Sequence, residues 1–169
     1  AALVPITSIE LKFPSKVLDK LRKLHTTVWF SVPSYLVYCL KLKAITAERT
    51  VGIKAVIFGG EGFPKANLKK LRETLSGATR MYNVYGPTEA TCICSSYEIT
   101  DRDLLDLTSL ASLGNLAPNF GYKIVNKNED GVGELILIGP QVAQGYIGDQ
   151  KLTNERFKFV NQEGLFEKS

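Results

Sequence analysis

The chain has 169 residues, 44% of them hydrophobic and 22% charged, with a formal net charge of +4 at pH 7. That length suits one domain, or a piece of one, and can bury a sizeable core. The sequence shows no signal peptide and no low-complexity tail, and no apolar run approaches the roughly 20 residues of a membrane span.

Ala2 to Ile6 is a short apolar run and is expected as a strand. Pro14 then opens a helix, where its missing N–H costs nothing. Val17, Leu18, Leu21 and Leu24 fall at helical spacing behind it. Thr27 to Ser31 is β-branched and aromatic, so it reads as a strand. Pro33 opens a second helix with Leu36, Val37 and Leu40 as its inward stripe. Ile53 to Phe58 is a buried strand that ends at Gly59-Gly60-Glu61-Gly62. Pro64 opens a third helix with Leu68, Leu71 and Leu75 inward, and Arg80 to Tyr85 is the next strand. Strands alternating with helices predict an α/β unit with a parallel-rich sheet and flanking helices.

The pattern changes after about residue 100. Asp101 to Leu107 reads as one helical turn, and glycines then recur down to Gly148. Tyr122 to Asn126 and Glu134 to Ile138 are expected as strands, joined as a hairpin by the short polar link between them. The expected division is an α/β subdomain over 1–105 and a smaller β-rich subdomain over 106–169. Cys39, Cys92 and Cys94 are odd in number and lack zinc spacing, so free thiols in a reducing cytoplasm are expected. The basic residues, such as Lys20, Arg22, Lys23, Lys69 and Arg72, fall on predicted helix faces. They read as solvated surface rather than a nucleic-acid footprint, and no nucleic-acid motif accompanies them.

Arg80 to Cys94 carries the chemistry. The strand stops at Gly86-Pro87, which cannot continue a ladder. Thr88 and Glu89 follow on the turn, and Thr91 to Tyr97 is expected as a second strand. An aromatic, a hydroxyl and a carboxylate thus share one tight loop. A tyrosine face can stack on a base, a threonine hydroxyl can donate to a phosphate, and a glutamate can hold Mg2+. A plain strand-turn-strand connection is the alternative.

Asn83-Val84-Tyr85-Gly86-Pro87-Thr88-Glu89 resembles the N-x-Y-G-P-T-E signature of the adenylate-forming enzymes. Within that superfamily it is most similar to the adenylation domains of nonribosomal peptide synthetases and D-alanine–carrier protein ligases. Further segments follow the family's order. Trp29-Phe30-Ser31-Val32-Pro33-Ser34 resembles the corner that walls the acyl pocket, and Phe58 to Pro64 resembles the G-G-E-x-x-P turn. Gly133 to Pro140 with Val142-Ala143-Gln144-Gly145-Tyr146 resembles G-E-L-x-I-x-G followed by V-A-R-G-Y-L. Leu152 to Phe157 resembles L-T-x-x-R-F. These last two look structural rather than catalytic. Gln144 stands where the family usually has arginine, and the connection before Gly133 is short. The family's phosphate loop, its Y-R-T-G-D segment and its catalytic lysine have no match here. The resemblance therefore implies a central piece of a larger adenylation domain, which a start on Ala1 rather than Met also suggests.

What the resemblance implies is ATP-dependent activation of a small carboxylic or amino acid as an acyl-adenylate. The acyl group then passes to the thiol of a carrier protein. Tyr85 would stack on adenine, Asn83 would read its amino edge, and the Gly60 and Glu61 backbone would border it. Gly86 would belong to the nucleotide site, Thr88 would contact the α-phosphate, and Glu89 would hold Mg2+. Phe30, Ile57, Gly59, Val84, Cys92 and Ile93 would line the acyl pocket, with Gly59 adding depth to its floor. That lining predicts a small to medium apolar substrate side chain. Two alternatives stay open: a non-catalytic nucleotide- or carrier-binding module, and a piece of an acyl-CoA ligase. Partners expected under the main reading are the carrier protein and the rest of the same adenylation domain, with no membrane.

Overall fold

The computed structural model describes residues 2–160 and 165–168. The chain packs as two compact units, Ala1–Val84 with Tyr97–Leu113, and Tyr85–Ser96 with Gly114–Ser169. The packing thus crosses from unit to unit at 84/85, 96/97 and 113/114. The first crossing falls inside the signature stretch, between Val84 and Tyr85.

The first unit is built from α1 (Pro14–Lys23), β1 (Val28–Ser31), α2 (Pro33–Lys41), α3 (Ala47–Thr50), β2 (Ala55–Gly59), α4 (Lys65–Thr74) and β3 (Arg80–Tyr85). Strands β1 and β2 pair in parallel, as do β2 and β3. A parallel pair needs a crossover, and α2 and α4 supply it. Prolines set the helix starts: Pro14 and Pro33 are the first residues of α1 and α2, and Pro64 caps α4. The in-register row Trp29–Val56–Met81 is 6%, 0% and 0% exposed. With Leu18, Leu36, Cys39, Leu68 and Leu71 it forms the main core. Phe58 and Phe63 meet edge to face in the same cluster, 4.8 Å apart. The next row, Phe30–Ile57–Tyr82, points to the opposite face because strand side chains alternate. Phe30 is 56% exposed there, so the helical layer covers the other face.

Strand β4 (Ser95–Ile99) follows the signature turn, and a 3-10 turn at Asp101–Leu104 begins with a Thr100 capping box. A two-residue β5 (Asn115–Leu116) pairs antiparallel with β4, and the sheet order is β1-β2-β3-β4-β5. In the second unit, β6 (Gly121–Val125) and β7 (Glu134–Gly139) form the expected antiparallel hairpin. Helix α5 (Gln150–Arg156) leads to β8 (Phe157–Val160) and β9 (Leu165–Lys168), and the sheet order is β6-β7-β9-β8. The second core gathers Ala90, Cys94, Leu137, Val142 and Phe157.

Two expectations fail. Ala2 to Ile6 forms no strand. Leu3 is 96% exposed, and Pro5 has no N–H to give a ladder. The second strand of the signature starts at Ser95, not Thr91, because Thr91 and Cys92 are left-handed with φ of 57° and 74°. Helices α3 and α5 and strands β5, β8 and β9 add to the elements expected. The cysteines are free thiols as expected, Cys39 and Cys94 buried and Cys92 exposed.

Candidate functional site

Strand β3 delivers two signature residues before the turn. Asn83 is 5% exposed, and its amide donates to the Ser112 carbonyl at 2.7 Å. Its side chain therefore ties β3 to the segment after the 3-10 turn. Tyr85 ends the strand half-buried, and burial pushes its phenol up from the ordinary value.

The turn is held by the second unit. Gly86 admits no side chain, because a Cβ there would overlap the Cys92 carbonyl. Thr88–Ala90 is a 3-10 turn that drives Ala90 fully into the second core. Two successive left-handed residues then reverse the chain, a conformation costing on the order of 1–3 kcal/mol per non-glycine residue. Cys94 closes the loop: its N–H donates to the Tyr85 carbonyl at 2.8 Å. The Thr91 hydroxyl donates to the Gln141 carbonyl at 2.7 Å. Thr88 is exposed at the tip.

Glu89 is half-buried and gripped at both ends. Its carbonyl accepts from the Ala143 N–H at 2.7 Å, and its carboxylate accepts from the Tyr146 hydroxyl at 2.6 Å. That donation to a carboxylate raises the Tyr146 phenol above its ordinary value. Tyr146 was absent from the expected site residues. Its signal was the V-A-Q-G-Y segment, which the sequence alone assigns to structure.

The G-G-E turn lies in the first unit. Gly60 has φ of 87°, which favours glycine, and nothing lies within 4 Å of where its Cβ would be. The Glu61 carboxylate accepts from the Ser34 N–H at 2.9 Å and from the Ser34 hydroxyl at 3.0 Å. It caps the start of α2, where backbone N–H groups lack partners and negative charge is favoured. The pocket-corner motif and the G-G-E motif are thereby joined. A cleft of about 350 Å³ runs beside this cap, lined by Val37, Tyr38, Lys41 and Pro64 among others.

Of the six expected pocket residues, four share one face of the parallel sheet. Phe30 is in register with Ile57, and Gly59, two residues on, is in register with Val84. Cys92 and Ile93 lie in the second unit, on the exposed turn. The expected extra depth at Gly59 is corrected by the geometry: a Cβ there would overlap the Val84 carbonyl and a Val84 methyl. Gly59 serves close approach of β2 and β3, and it opens no space.

The chain belongs to the AMP-binding enzyme family, whose sequence model matches residues 1–147. Among its relatives is the D-alanine–D-alanyl carrier protein ligase of Bacillus licheniformis, 32% identical over 161 residues. That match covers 92% of this chain and 32% of the relative. The L-proline–[L-prolyl-carrier protein] ligase of Streptomyces coelicolor is 32% identical over 152 residues, covering 86% of this chain and 28% of that one. The crystal structure of IdnL7 superposes with a TM-score of 0.79 at 24% identity, over 98% of this chain and 33% of that chain, a likeness of fold. The chain thus spans about a third of the length of the curated relatives it matches. No helix among the described residues is long and apolar enough to cross a membrane.

Proposed function

We propose that this chain is the central part of an ATP-dependent adenylation domain that activates a small carboxylic or amino acid and passes it to a carrier-protein thiol. The observation that carries the proposal is the signature turn itself. Gly86 to Cys94 is held by backbone and side-chain bonds so that Glu89 presents a fixed, half-buried carboxylate beside an exposed Thr88. Family membership supplies the class of nucleotide, and the relatives named as carrier-protein ligases supply the class of acceptor.

In this reading the acid's carboxylate attacks the α-phosphorus of ATP and pyrophosphate leaves. The chain's own contribution is positioning and charge complementarity. Tyr85 offers a ring face to adenine, with the Asn83 amide and the Gly60–Glu61 backbone at its edge, and Gly86 keeps the turn tight. Open space around Gly60 is compatible with a flat base lying there. Thr88 donates its hydroxyl to the α-phosphate.

The residues also fit Mg2+. Among the described residues no three His, Cys, Asp or Glu side chains cluster. An ion here would therefore be held by Glu89 together with nucleotide oxygens, the usual arrangement for this hard, strongly hydrated cation. When bound it would offset phosphate charge in the transition state. Phe30, Ile57 and Val84, on one face of the parallel sheet, offer an apolar wall to the acyl group, which suits a small to medium apolar side chain. Use of ATP and free thiols suits the cytoplasm.

The test is ATP–pyrophosphate exchange by the complete enzyme carrying this segment, over a panel of amino and carboxylic acids. Exchange should be strongest with small apolar acids, and the adenylate should be detectable by mass spectrometry. Background exchange with every acid and no adenylate would overturn the proposal. The 169-residue chain alone is expected to stay at background, since the phosphate loop and catalytic lysine of the family are not in its sequence.

A further inference from the structure

We propose that Tyr146 is a positioning residue for Glu89, and that the V-A-Q-G-Y segment with α5 forms a brace whose task is to aim that carboxylate. The inference rests on the reading of Glu89 as the metal-holding group.

The Tyr146 hydroxyl lies 2.6 Å from Glu89 Oε1, although 57 positions separate the two residues. Hydrogen bonds to an ionised acceptor are short and stronger than neutral ones. A donor on one carboxylate oxygen restricts rotation of the group and orients its remaining lone pairs. The Ala143 N–H holds the Glu89 backbone at the same time.

Tyr146 is itself fixed at two points. Its N–H donates to the Thr153 hydroxyl at 2.8 Å, and that hydroxyl donates onward to the Asp149 carbonyl at 2.8 Å. Its ring meets Phe157 edge to face, with centroids 5.2 Å apart and planes at 78°. Gly145 makes the approach possible: its φ is 150°, and a Cβ there would overlap the Thr153 methyl. Phenylalanine would fill the ring's place in this core equally well. Only the hydroxyl distinguishes tyrosine here, and its partner is Glu89.

The experiment uses the complete enzyme with Tyr146→Phe, Glu89→Gln and the double variant. Tyr146→Phe should lower kcat for adenylate formation about 10- to 30-fold, the scale of losing one hydrogen bond to a charged group. KM for the acid should change less than about twofold, since that contact would act on the transition state rather than on acid binding. Mn2+ binding in the presence of a non-hydrolysable ATP analogue, followed by electron paramagnetic resonance, should weaken several-fold. The double variant should be no worse than Glu89→Gln, since both act through one carboxylate. If Glu89→Gln leaves kcat and Mn2+ binding unchanged, the underlying reading of Glu89 fails. If Glu89→Gln is severe while Tyr146→Phe changes neither kcat nor Mn2+ binding, the brace alone is overturned. Should Tyr146→Phe not fold, Thr153→Val carries the test, with a smaller loss in the same direction expected and Thr153→Ser restoring it. Unchanged Mn2+ binding in a folded Thr153→Val would likewise overturn the brace.

Discussion

Two glutamates stand in the two signature turns, and their surroundings differ. Glu61 in G-G-E spends both carboxylate oxygens on Ser34, at the start of α2. Glu89 in P-T-E takes a phenol on one oxygen and sits half-buried on a turn bent through two left-handed residues. The first arrangement completes a helix end. The second fixes a carboxylate through a side chain 57 positions away. A carboxylate in a signature motif is therefore a catalytic candidate only after its bonding has been counted.

The glycines of the same two turns give the largest expected effect. Gly59→Val would drive atoms into the Val84 carbonyl, in a backbone contact that no rotamer relieves. A loss of about 3–5 kcal/mol is expected, at the upper end for single substitutions. Urea melts of the 169-residue chain measure it directly. An unchanged midpoint would mean that β2 and β3 separate easily and that Gly59 is a pocket residue after all.

The glutamates themselves come next. In the complete enzyme Glu89→Gln should lower kcat by roughly 10²–10³, the usual scale for one electrostatic contact to the reacting phosphate. Glu61→Gln should leave kcat within a few-fold of the parent and cost about 1 kcal/mol of stability through the weakened helix start. Reversal of the two outcomes, with Glu61 controlling rate and Glu89 only the melting temperature, would exchange their roles.

The smallest effect separates the thiols. Cys39 in the first core is fully buried, and burial pushes its thiol up to about 11. Cys94 in the second core is equally covered, and burial raises it too. Cys92 is exposed on the signature turn. At pH 8 a disulfide reagent should consume Cys92 quickly and the other two only on unfolding. The sign for stability follows from the raised value of Cys39. A neutral buried thiol contributes fully below its unfolded range, near pH 8.5 by the ordinary value for cysteine. That contribution fades as pH rises toward about 11. Rapid reaction of all three in the folded chain would show that neither core is closed.

Much of the first unit was legible in the sequence. Prolines at 14, 33 and 64 marked helix starts because a missing N–H is harmless there, and β3 was read with its observed bounds, Arg80–Tyr85. The stripe of α2 was read less well: Cys39 is fully buried, while Val37 and Leu40 pack only at the core's edge. The second unit was less legible. Its helix α5 has no buried residue, so no apolar stripe announces it. The strand expected at Thr91 was displaced because β-branched and sulfur side chains promise extension, whereas the closed loop forces two positive φ angles.

By itself the sequence determined the alternation of strands and helices, the tight turn at Gly86-Pro87 and the family, because these rest on local preferences and contiguous motifs. Only the tertiary structure decided which residues those motifs meet. Asn83 met Ser112, Glu61 met Ser34, and Glu89 met Tyr146, across 29, 27 and 57 positions of chain. Such separations leave no periodic trace in the sequence. They are set by which strands pair and which side chains the cores exclude, so the partner that gives each motif residue its role is specified by packing.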